Sequence, residues 1–299
     1  MTQAGKQAVT DPVLSAEQKQ QLVLQANRAA AQGDCTRALS ILRQLSLQEF
    51  SALLLDIPEF APALRSWLPS MPSDEVQRNW TGTCGLALLN QSIDFVRSLE
   101  KGSQLYQEHS IQGRVLDFGC GWGRITRPLL HYVNPEQIYG VDPWDVSIAL
   151  CQQHHCLGQF AVGAYVPTSL PFAEKFDLIY VFSVFTHLSE RTADAALQVL
   201  RRHIDDKGLL TITIRPPEYW DLHQGWVEGY SKELLKEQHQ TQGFAFMPHF
   251  RAPINGDITY GDTSMSLDFI NKRWPQWKIA GTDSNPSDPW QIVVFLQPA

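Results

Sequence analysis

The chain has 299 residues, and its 43% of hydrophobic residues can fill a large core, which excludes disorder over most of its length. The net charge of −7, from 24 Lys and Arg against 31 Asp and Glu, disfavours a broad nucleic-acid-binding surface. No apolar run approaches the roughly 18 residues of a membrane span, and Met1 to Asp11 lacks the basic-then-apolar order of a signal peptide. We therefore expect a cytoplasmic protein that binds neither membranes nor nucleic acids.

The first seventy residues carry the start and stop signals of helices. Ser15 and Gln18 form a capping box. Asp34 can cap a second helix, and Ser46 and Glu49 form another capping box at the start of a third. Prolines at positions 58, 62, 69 and 72 then interrupt the helical pattern. We predict an N-terminal helical segment over residues 1–75, which either caps a substrate pocket or docks a protein partner or a second copy of the chain.

From residue 113 onward, short apolar runs alternate with helical stretches. Strand-like runs lie at 115–118, 138–141, 160–162, 178–182 and 209–214, and helical stretches lie near 123–132, 145–155 and 188–204. This alternation predicts an α/β fold in which helices cover both faces of a mainly parallel sheet. Later runs at 244–250, 258–260, 277–280 and 292–296 follow each other more closely, as antiparallel strands do. Such sheets bind ligands at the carboxyl ends of their strands.

The five cysteines are scattered, odd in number and free of any Cys-x-x-Cys pair. Cys151, His154, His155 and Cys156 are close in sequence, and they fit either a metal cluster or a helix end with two buried thiols. The helix end is the favoured interpretation, so we expect no metal.

A glycine loop follows the first predicted strand, in Asp117-x-Gly119-x-Gly121-x-Gly123. Glycines at these positions permit a tight turn and let backbone N–H groups approach a ligand closely. The spacing differs from the Gly-x-Gly-x-x-Gly of dinucleotide-binding loops. Asp142 ends the next strand, about 20 residues on, where a carboxylate can accept hydrogen bonds from both hydroxyls of a ribose. Together, the loop and this acid predict a cofactor that contains a nucleoside.

These motifs resemble those of the class I S-adenosylmethionine-dependent methyltransferases. The loop is similar to their first motif, Asp142 to their ribose-binding acid, and the run from Phe176 to Leu188 to their fourth-strand region. The runs Trp80-Thr81-Gly82 and Tyr260-Gly261-Asp262 resemble a bacterial branch of the family that acts on small molecules. The resemblance covers residues 76–299. It implies a Rossmann-like, seven-stranded, mostly parallel sheet whose last strand is antiparallel.

The resemblance also implies which residues contact S-adenosylmethionine, namely Asp117, Gly119, Cys120, Gly121, Asp142, Pro143, Ala164, Phe182 and Ser183. Two features depart from the family pattern. The run Gly163-Ala164-Tyr165-Val166 has no acid or amide for the adenine amino group, so adenine is expected to rely on backbone contacts. The fifth strand follows Asp206-Lys207-Gly208-Leu209, which has one glycine fewer than the usual turn.

His187 and Arg215 are the candidates for acting on the acceptor. His187 lies just beyond the fourth strand and fits a general base, an acceptor-orienting group or a helix-start residue bonded to the local backbone. Arg215 follows the fifth strand, where it fits either a clamp for an anionic acceptor group or a partner of nearby Glu218 or Asp221.

Aromatic residues follow Arg215 in a cluster that begins at Tyr219, and this cluster fits either a partly apolar acceptor pocket or ordinary packing of a lid. We predict Trp80, Arg215, Tyr219 and Tyr260 as acceptor-binding residues and His187 as the catalytic residue.

The sequence thus predicts a methyltransferase that acts on a small-molecule acceptor, with O-methylation slightly favoured over N- or C-methylation. One alternative is a non-catalytic protein that binds the cofactor and acts through its N-terminal helices. A nicotinamide-dependent oxidoreductase is disfavoured by the glycine spacing. A nucleic-acid methyltransferase is disfavoured by the acidic balance and by the lack of an Asn-Pro-Pro-Tyr-like base-flipping motif.

Overall fold

A computed structural model of the protein describes residues 14–299. Its strands are β1 (Val115–Phe118), β2 (Ile138–Asp142), β3 (Gln159–Val162), β4 (Phe176–Val181), β5 (Ile204–Ile214), β6 (Phe244–Pro248), β7 (Gly261–Met265), β8 (Trp277–Ser284) and β9 (Ile292–Pro298). Seven of them form one sheet in the order β3-β2-β1-β4-β5-β9-β8. Strands β1 to β5 are parallel, and β9 is antiparallel to both of its neighbours. The predicted Rossmann-like sheet with an antiparallel last strand is confirmed.

Helices flank this sheet, and seven of the twelve in the described residues begin at a Ser or Asp side chain that caps the first turn. They are α1 (Ala16–Ala31), α2 (Cys35–Leu42), α3 (Leu47–Leu55), α4 (Pro62–Trp67), α5 (Asp74–Thr81), α6 (Gly85–Tyr106), α7 (Thr126–Leu129), α8 (Asp145–Gln153), α9 (Glu190–His203), α10 (Tyr219–Leu222), α11 (Lys232–Gln242) and α12 (Leu267–Arg273). Ser15 and Ser46 form the two predicted capping boxes, and Asp34 caps α2. Pro62 lies in the first turn of α4, where its missing N–H costs no hydrogen bond.

Two large apolar clusters cover the two faces of the sheet. In one cluster, the first four helices, α1 to α4, pack together with α6, with α7 and with the sheet residues Val115 and Tyr180. The other joins α9 and α12 to the opposite face. The N-terminal helices therefore share one core with the sheet. The boundary at residue 75 stays a prediction, and residues 1–13 of that predicted segment lie outside the described residues.

A second, two-stranded sheet pairs β6 with β7 and packs against α10 and α11 around Trp220 and Leu235. Two backbone bonds fasten β7 to the segment that follows β4, since Gly261 N donates to His187 O at 2.8 Å and Thr263 N to Thr186 O at 2.9 Å. This attachment brings the start of β7 to the carboxyl edge of the main sheet.

Three features differ from the sequence prediction. The run at 258–260 is not a strand, because β7 begins one residue later. The helical stretch expected near 123–132 contains only the short helix α7, and the long helix α6 had no counterpart among the predicted elements. Within residues 14–299, no helix is both long and apolar enough to cross a membrane.

Candidate functional site

The glycine loop between β1 and α7 is held against β2, because Gly119 N and Cys120 N both donate to Val141 O, at 2.7 and 3.1 Å. Gly119 has φ +81°, and a Cβ there would lie 2.3 Å from a methyl carbon of Val184, so only glycine fits. Gly121 has φ +52°, and a Cβ there would make ordinary van der Waals contact with Trp80, 3.9 Å away. Both glycines line cavities that a ligand can fill.

Asp142 lies beside this loop at the end of β2. One carboxylate oxygen accepts from Gly121 N at 2.9 Å, and the other accepts from Trp144 N at 2.9 Å and Ser147 Oγ at 2.8 Å. Burial raises the pKa of the carboxyl, which these three donors oppose. Its position is therefore fixed before any ligand binds, and with Pro143 it lines the larger of two adjoining cavities.

The smaller cavity, of about 190 Å³, is called the inner cavity here. Asp117, Arg124 and Asp288 supply its charged lining, with Gln91 and Gln291 beside them. Burial raises the pKa of Asp117 to about 8, and its Oδ2 has no hydrogen-bond partner within residues 14–299. Burial lowers the pKa of Arg124 to about 10, and its Nη1 donates to Gln91 Oε1 at 2.7 Å. The inner cavity thus presents a cation and two acids together.

The larger cavity, of about 750 Å³, is called the outer cavity and has aromatic walls formed by Trp80, Trp144, Tyr165, Phe182 and Tyr260. The Trp80 and Trp144 rings stack with centroids 4.6 Å apart. Trp80 also lines the inner cavity, so it stands where the two meet. Ala164 lines a small third cavity of about 20 Å³, which Gly119 and Pro143 also line.

Ser183 follows β4 with φ +58°, a strained value for a residue other than glycine. Its N–H donates to Thr213 Oγ1 at 2.7 Å, and its hydroxyl accepts from Gln291 Nε2 at 2.9 Å. These bonds hold Phe182 and Ser183 in the lining of both cavities.

His187 lines the inner cavity and stacks on Tyr260, with centroids 4.9 Å apart and planes 7° from parallel. Its Nδ1 donates to Gly261 O at 2.7 Å, and Arg215 Nη2 donates to its Nε2 at 3.3 Å. Burial first, then the Arg215 charge, lowers the pKa of His187 to about 4. The imidazole is therefore neutral at pH 7, and both of its nitrogens already have partners.

Asp262, a buried residue of β7, organises the groups behind His187. Its carboxylate accepts from Arg215 Nη1 at 2.6 Å, from the Tyr219 hydroxyl at 2.9 Å and from His249 Nε2 at 2.8 Å. Burial alone would raise its pKa, but His187, His249 and Arg215 outweigh it and lower that pKa to about 2. Arg215 and Tyr219 are thus brought together as partners of Asp262. Neither side chain pairs with Glu218 or Asp221, and neither lines the inner or the outer cavity.

The aromatic cluster after Arg215 packs mainly as a core. Trp220 is fully buried and donates from Nε1 to Ser264 Oγ at 2.8 Å.

Three free cysteines lie together behind the glycine loop, namely Cys120, Cys151 and Cys156. Within residues 14–299, no group of three or more His, Cys, Asp or Glu side chains has an arrangement that could hold a metal ion.

Sequence reasoning assigned no role to Gln91, Arg124, Asp288 and Gln291. They come from α6, from the turn after the glycine loop and from the loop before β9, so the fold rather than any local motif brings them together. Only Arg124 had a local signal, since it follows the last glycine of the loop directly.

Comparisons with known proteins find a matching family and several similar proteins. Residues 115–208 match a family described as "Methyltransferase domain". A curated relative, the ribosomal RNA small subunit methyltransferase C of Shewanella loihica, is 34% identical over 105 residues. That alignment covers 34% of this chain and 28% of the relative, so the chain spans little more than a quarter of its length.

Several solved structures are similar to parts of this chain at low sequence identity. A methyltransferase of Clostridium acetobutylicum has a TM-score of 0.48 at 12% identity, covering 75% of this chain and 96% of its own. The glycopeptide N-methyltransferase MtfA, complexed with S-adenosylmethionine, has a TM-score of 0.49 at 11% identity, with coverages of 73% and 98%. Magnesium protoporphyrin IX methyltransferase of Synechocystis has a TM-score of 0.46 at 16% identity, with coverages of 76% and 94%.

The match over residues 115–208 is to a methyltransferase domain, and it supports the resemblance to the class I S-adenosylmethionine-dependent methyltransferases that the glycine loop and Asp142 indicated. The cofactor of this class is S-adenosylmethionine. The small-molecule branch, the boundary at residue 75 and the roles of the individual site residues stay predictions.

Proposed function

We propose that the whole protein is an S-adenosylmethionine-dependent methyltransferase whose acceptor is a small molecule, with an oxygen acceptor slightly favoured. The observation that carries this proposal is that one glycine loop both donates to the strand-end carboxylate of Asp142 and lines a charged inner cavity. S-adenosylmethionine has this polarity, because it joins a ribose to a zwitterionic amino acid.

The residues present fit this cofactor. Asp142 is placed for the ribose hydroxyls, and Ala164 and Pro143 lie on the side expected for adenine. In the inner cavity, the unpartnered Oδ2 of Asp117 suits an ammonium group and Arg124 suits a carboxylate. When bound, the cofactor supplies a methyl group on a positively charged sulfur.

The chain's own groups position the acceptor and exclude water, which supply much of the rate in such a displacement. Trp80 and Trp144 wall the outer cavity, and His187 supports the ring of Tyr260 by stacking. Because Gly261 O and Arg215 occupy both nitrogens of His187, the imidazole acts on the acceptor through the Tyr260 ring that it supports and not by removing a proton. An oxygen that is already ionised needs no base, which favours that kind of acceptor.

The ribosomal RNA methyltransferase among the relatives favours one further candidate, an RNA acceptor. The aligned part is about a third of this chain, and the chain's charge of −7 is unfavourable for binding a polyanion.

Titration calorimetry with S-adenosylmethionine and S-adenosylhomocysteine tests the proposal. Asp142→Ala should abolish micromolar binding, whereas Asp145→Ala, an exposed carboxylate three residues further on, should leave it unchanged. Failure of the wild-type protein to bind either ligand would refute the proposed function and leave the N-terminal helices as the place to look for activity.

A further inference from the structure

Two charged side chains line the outer cavity, Asp142 and Arg251. Asp142 already accepts three hydrogen bonds and faces the nucleoside side. Arg251 makes no hydrogen bond or salt bridge with any residue from 14 to 299. The cavity therefore contains one cation that no group of the described chain neutralises.

Arg251 is exposed to solvent, and its guanidinium stacks on one aromatic ring. It lies over the Tyr260 ring, with its central carbon 4.4 Å from the centroid, and the same ring stacks on His187. Stacking covers one face of the planar guanidinium and leaves its N–H edges to donate. His187 is itself fixed by Gly261 O and Arg215, so the stack of three planar groups is anchored in the protein.

The surroundings of Arg251 favour a ring as well as an anion. Tyr165, Trp144 and Tyr260 line the cavity around it, and Tyr165 and Trp144 remain largely exposed to solvent. The Tyr260 hydroxyl forms no hydrogen bond with another residue between 14 and 299, and burial raises its pKa, so it keeps a proton to donate. Flat aromatic walls, a fixed cation and a free hydroxyl donor are together suited to a planar anion.

We propose that Arg251 and Tyr260 form an acceptor subsite for a ring compound that bears a carboxylate or a phosphate. This inference rests on the proposed function and deepens it, because it names the chemical class of the acceptor. The anionic group pairs with the edge of the Arg251 guanidinium, while the ring lies against the aromatic walls.

The test measures binding to the protein saturated with S-adenosylhomocysteine, so it needs no knowledge of the natural acceptor. Benzoate and phenyl phosphate are the anionic probes, and benzamide is the uncharged probe of the same shape. We expect at least one anion to bind about 10-fold or more tightly than benzamide. Stronger binding of benzoate or of phenyl phosphate distinguishes a carboxylate from a phosphate acceptor.

Arg251→Gln should abolish the preference for the anion, and Arg251→Lys should retain part of it because the charge remains but the stacked fork is lost. Arg97→Gln is the matched control, since Arg97 is an exposed arginine on α6 that pairs with Asp94. S-adenosylhomocysteine affinity is measured first for each variant, because Arg251 lines the same outer cavity as Asp142, and the probes are then titrated at saturation for that variant.

The inference is overturned if S-adenosylhomocysteine binds but neither anion is preferred over benzamide, or if Arg251→Gln leaves the preference intact. A wild-type protein that does not bind S-adenosylhomocysteine refutes the proposed function itself, so the two failures are distinguishable.

Discussion

Replacing Arg124 by methionine tests how the cofactor lies in the inner cavity. The guanidinium lines that cavity, forms no salt bridge with residues 14–299 and is bonded to the neutral amide of Gln91. Its pKa of about 10 leaves it charged at pH 7. Burial of a cation is costly, the nearby carboxyls of Asp288 and Asp117 offset only part of that cost, and such groups are concentrated at functional sites. We expect it to bind the carboxylate of the cofactor's amino acid.

The size of the effect follows from that contact. Methionine retains most of the apolar stem that packs over Phe182, where the guanidinium now lies 4.8 Å from the ring centroid, and it removes the charge. A hydrogen bond to a charged group contributes about 1.5–3 kcal/mol, which is roughly 10- to 150-fold in Kd. S-adenosylhomocysteine should bind Arg124→Met more weakly by that factor. 5′-Methylthioadenosine lacks the carboxylate and should bind both proteins within about two-fold.

Titration calorimetry of both ligands gives the result, with Arg97→Met as the control on an exposed, paired arginine of α6. Without ligand, Arg124→Met should be about as stable as the wild type, because the substitution removes both the cost of burying the charge and its attraction to Asp288 and Asp117. Unchanged binding of S-adenosylhomocysteine would refute the assigned orientation. Equal weakening of both ligands would also refute it, because it would mean that Arg124 maintains the shape of the cavity instead.

Three further outcomes are expected. Gly119→Ala should lose about 1–3 kcal/mol of stability in chemical denaturation, because its Cβ would lie 2.3 Å from Val184 at a positive φ; Val184→Ala in the same chain should recover part of this, and no loss in the single variant would contradict the reasoning. His187→Gln should reduce the loss of unfolding free energy that the wild type shows as the pH falls below about 6.5. The native pKa of His187, about 4, is below its unfolded value of about 6.5. The unfolded state therefore binds more protons between these pH values. The free energy of unfolding falls as the pH falls through that window, by up to about 3 kcal/mol. Asp117 opposes this trend, so the difference between variant and wild type is the quantity to measure, and identical profiles would contradict the assignment. Removal of residues 1–75 should abolish cooperative thermal unfolding, because α1 to α4 share a core with the sheet, and a sharp transition in residues 76–299 alone would support the predicted boundary instead.

The strands that bear the cofactor motifs could be predicted from sequence because their residues are apolar and the intervening signals are local. β1 and β2 are buried along their length, and each ends at a residue with a distinct chemical role, the loop glycines and Asp142. The position of Asp142 beside the loop then follows from backbone geometry, because a glycine loop of this spacing turns tightly between β1 and α7.

The start of β7 could not be predicted in the same way. Gly261, Asp262, Thr263 and Ser264 are polar or small, so the apolar run at 258–260 gave a stronger local signal. The strand is nevertheless fully buried, because its polar groups have partners far away in sequence. Thr263 Oγ1 donates to Leu188 O at 2.7 Å, and Ser264 accepts from Trp220. Those partners exist only in the folded chain, so burial of polar residues left no local trace.

His187 shows the same limit for chemistry. Because His187 follows β4 in the sequence, we predicted that it lies at the ligand-binding edge of the sheet, and it lines the inner cavity there. Its basicity depends on Arg215 and Asp262, which are 28 and 75 residues away in sequence and which spacing alone does not connect to it. A histidine with an unbonded ring nitrogen and an ordinary pKa would suit deprotonation of a hydroxyl. His187 does not, because both of its nitrogens are hydrogen-bonded and its pKa is about 4.

The electrostatics of the two cavities lead to one kind of acceptor. Asp117 and Asp288 face Arg124 in the inner cavity, while Arg251 is the cation of the outer one. When a methyl group passes from a positive sulfur to an anion, opposite charges are cancelled, and aromatic walls such as Trp80 and Trp144 favour that cancellation once a bound acceptor displaces the water between them. A neutral hydroxyl would instead need a base near pH 7, and His187, with a pKa of about 4, is a poor one. The arrangement of charges therefore supports an acceptor that is anionic on arrival, for which Arg251 supplies the binding contact.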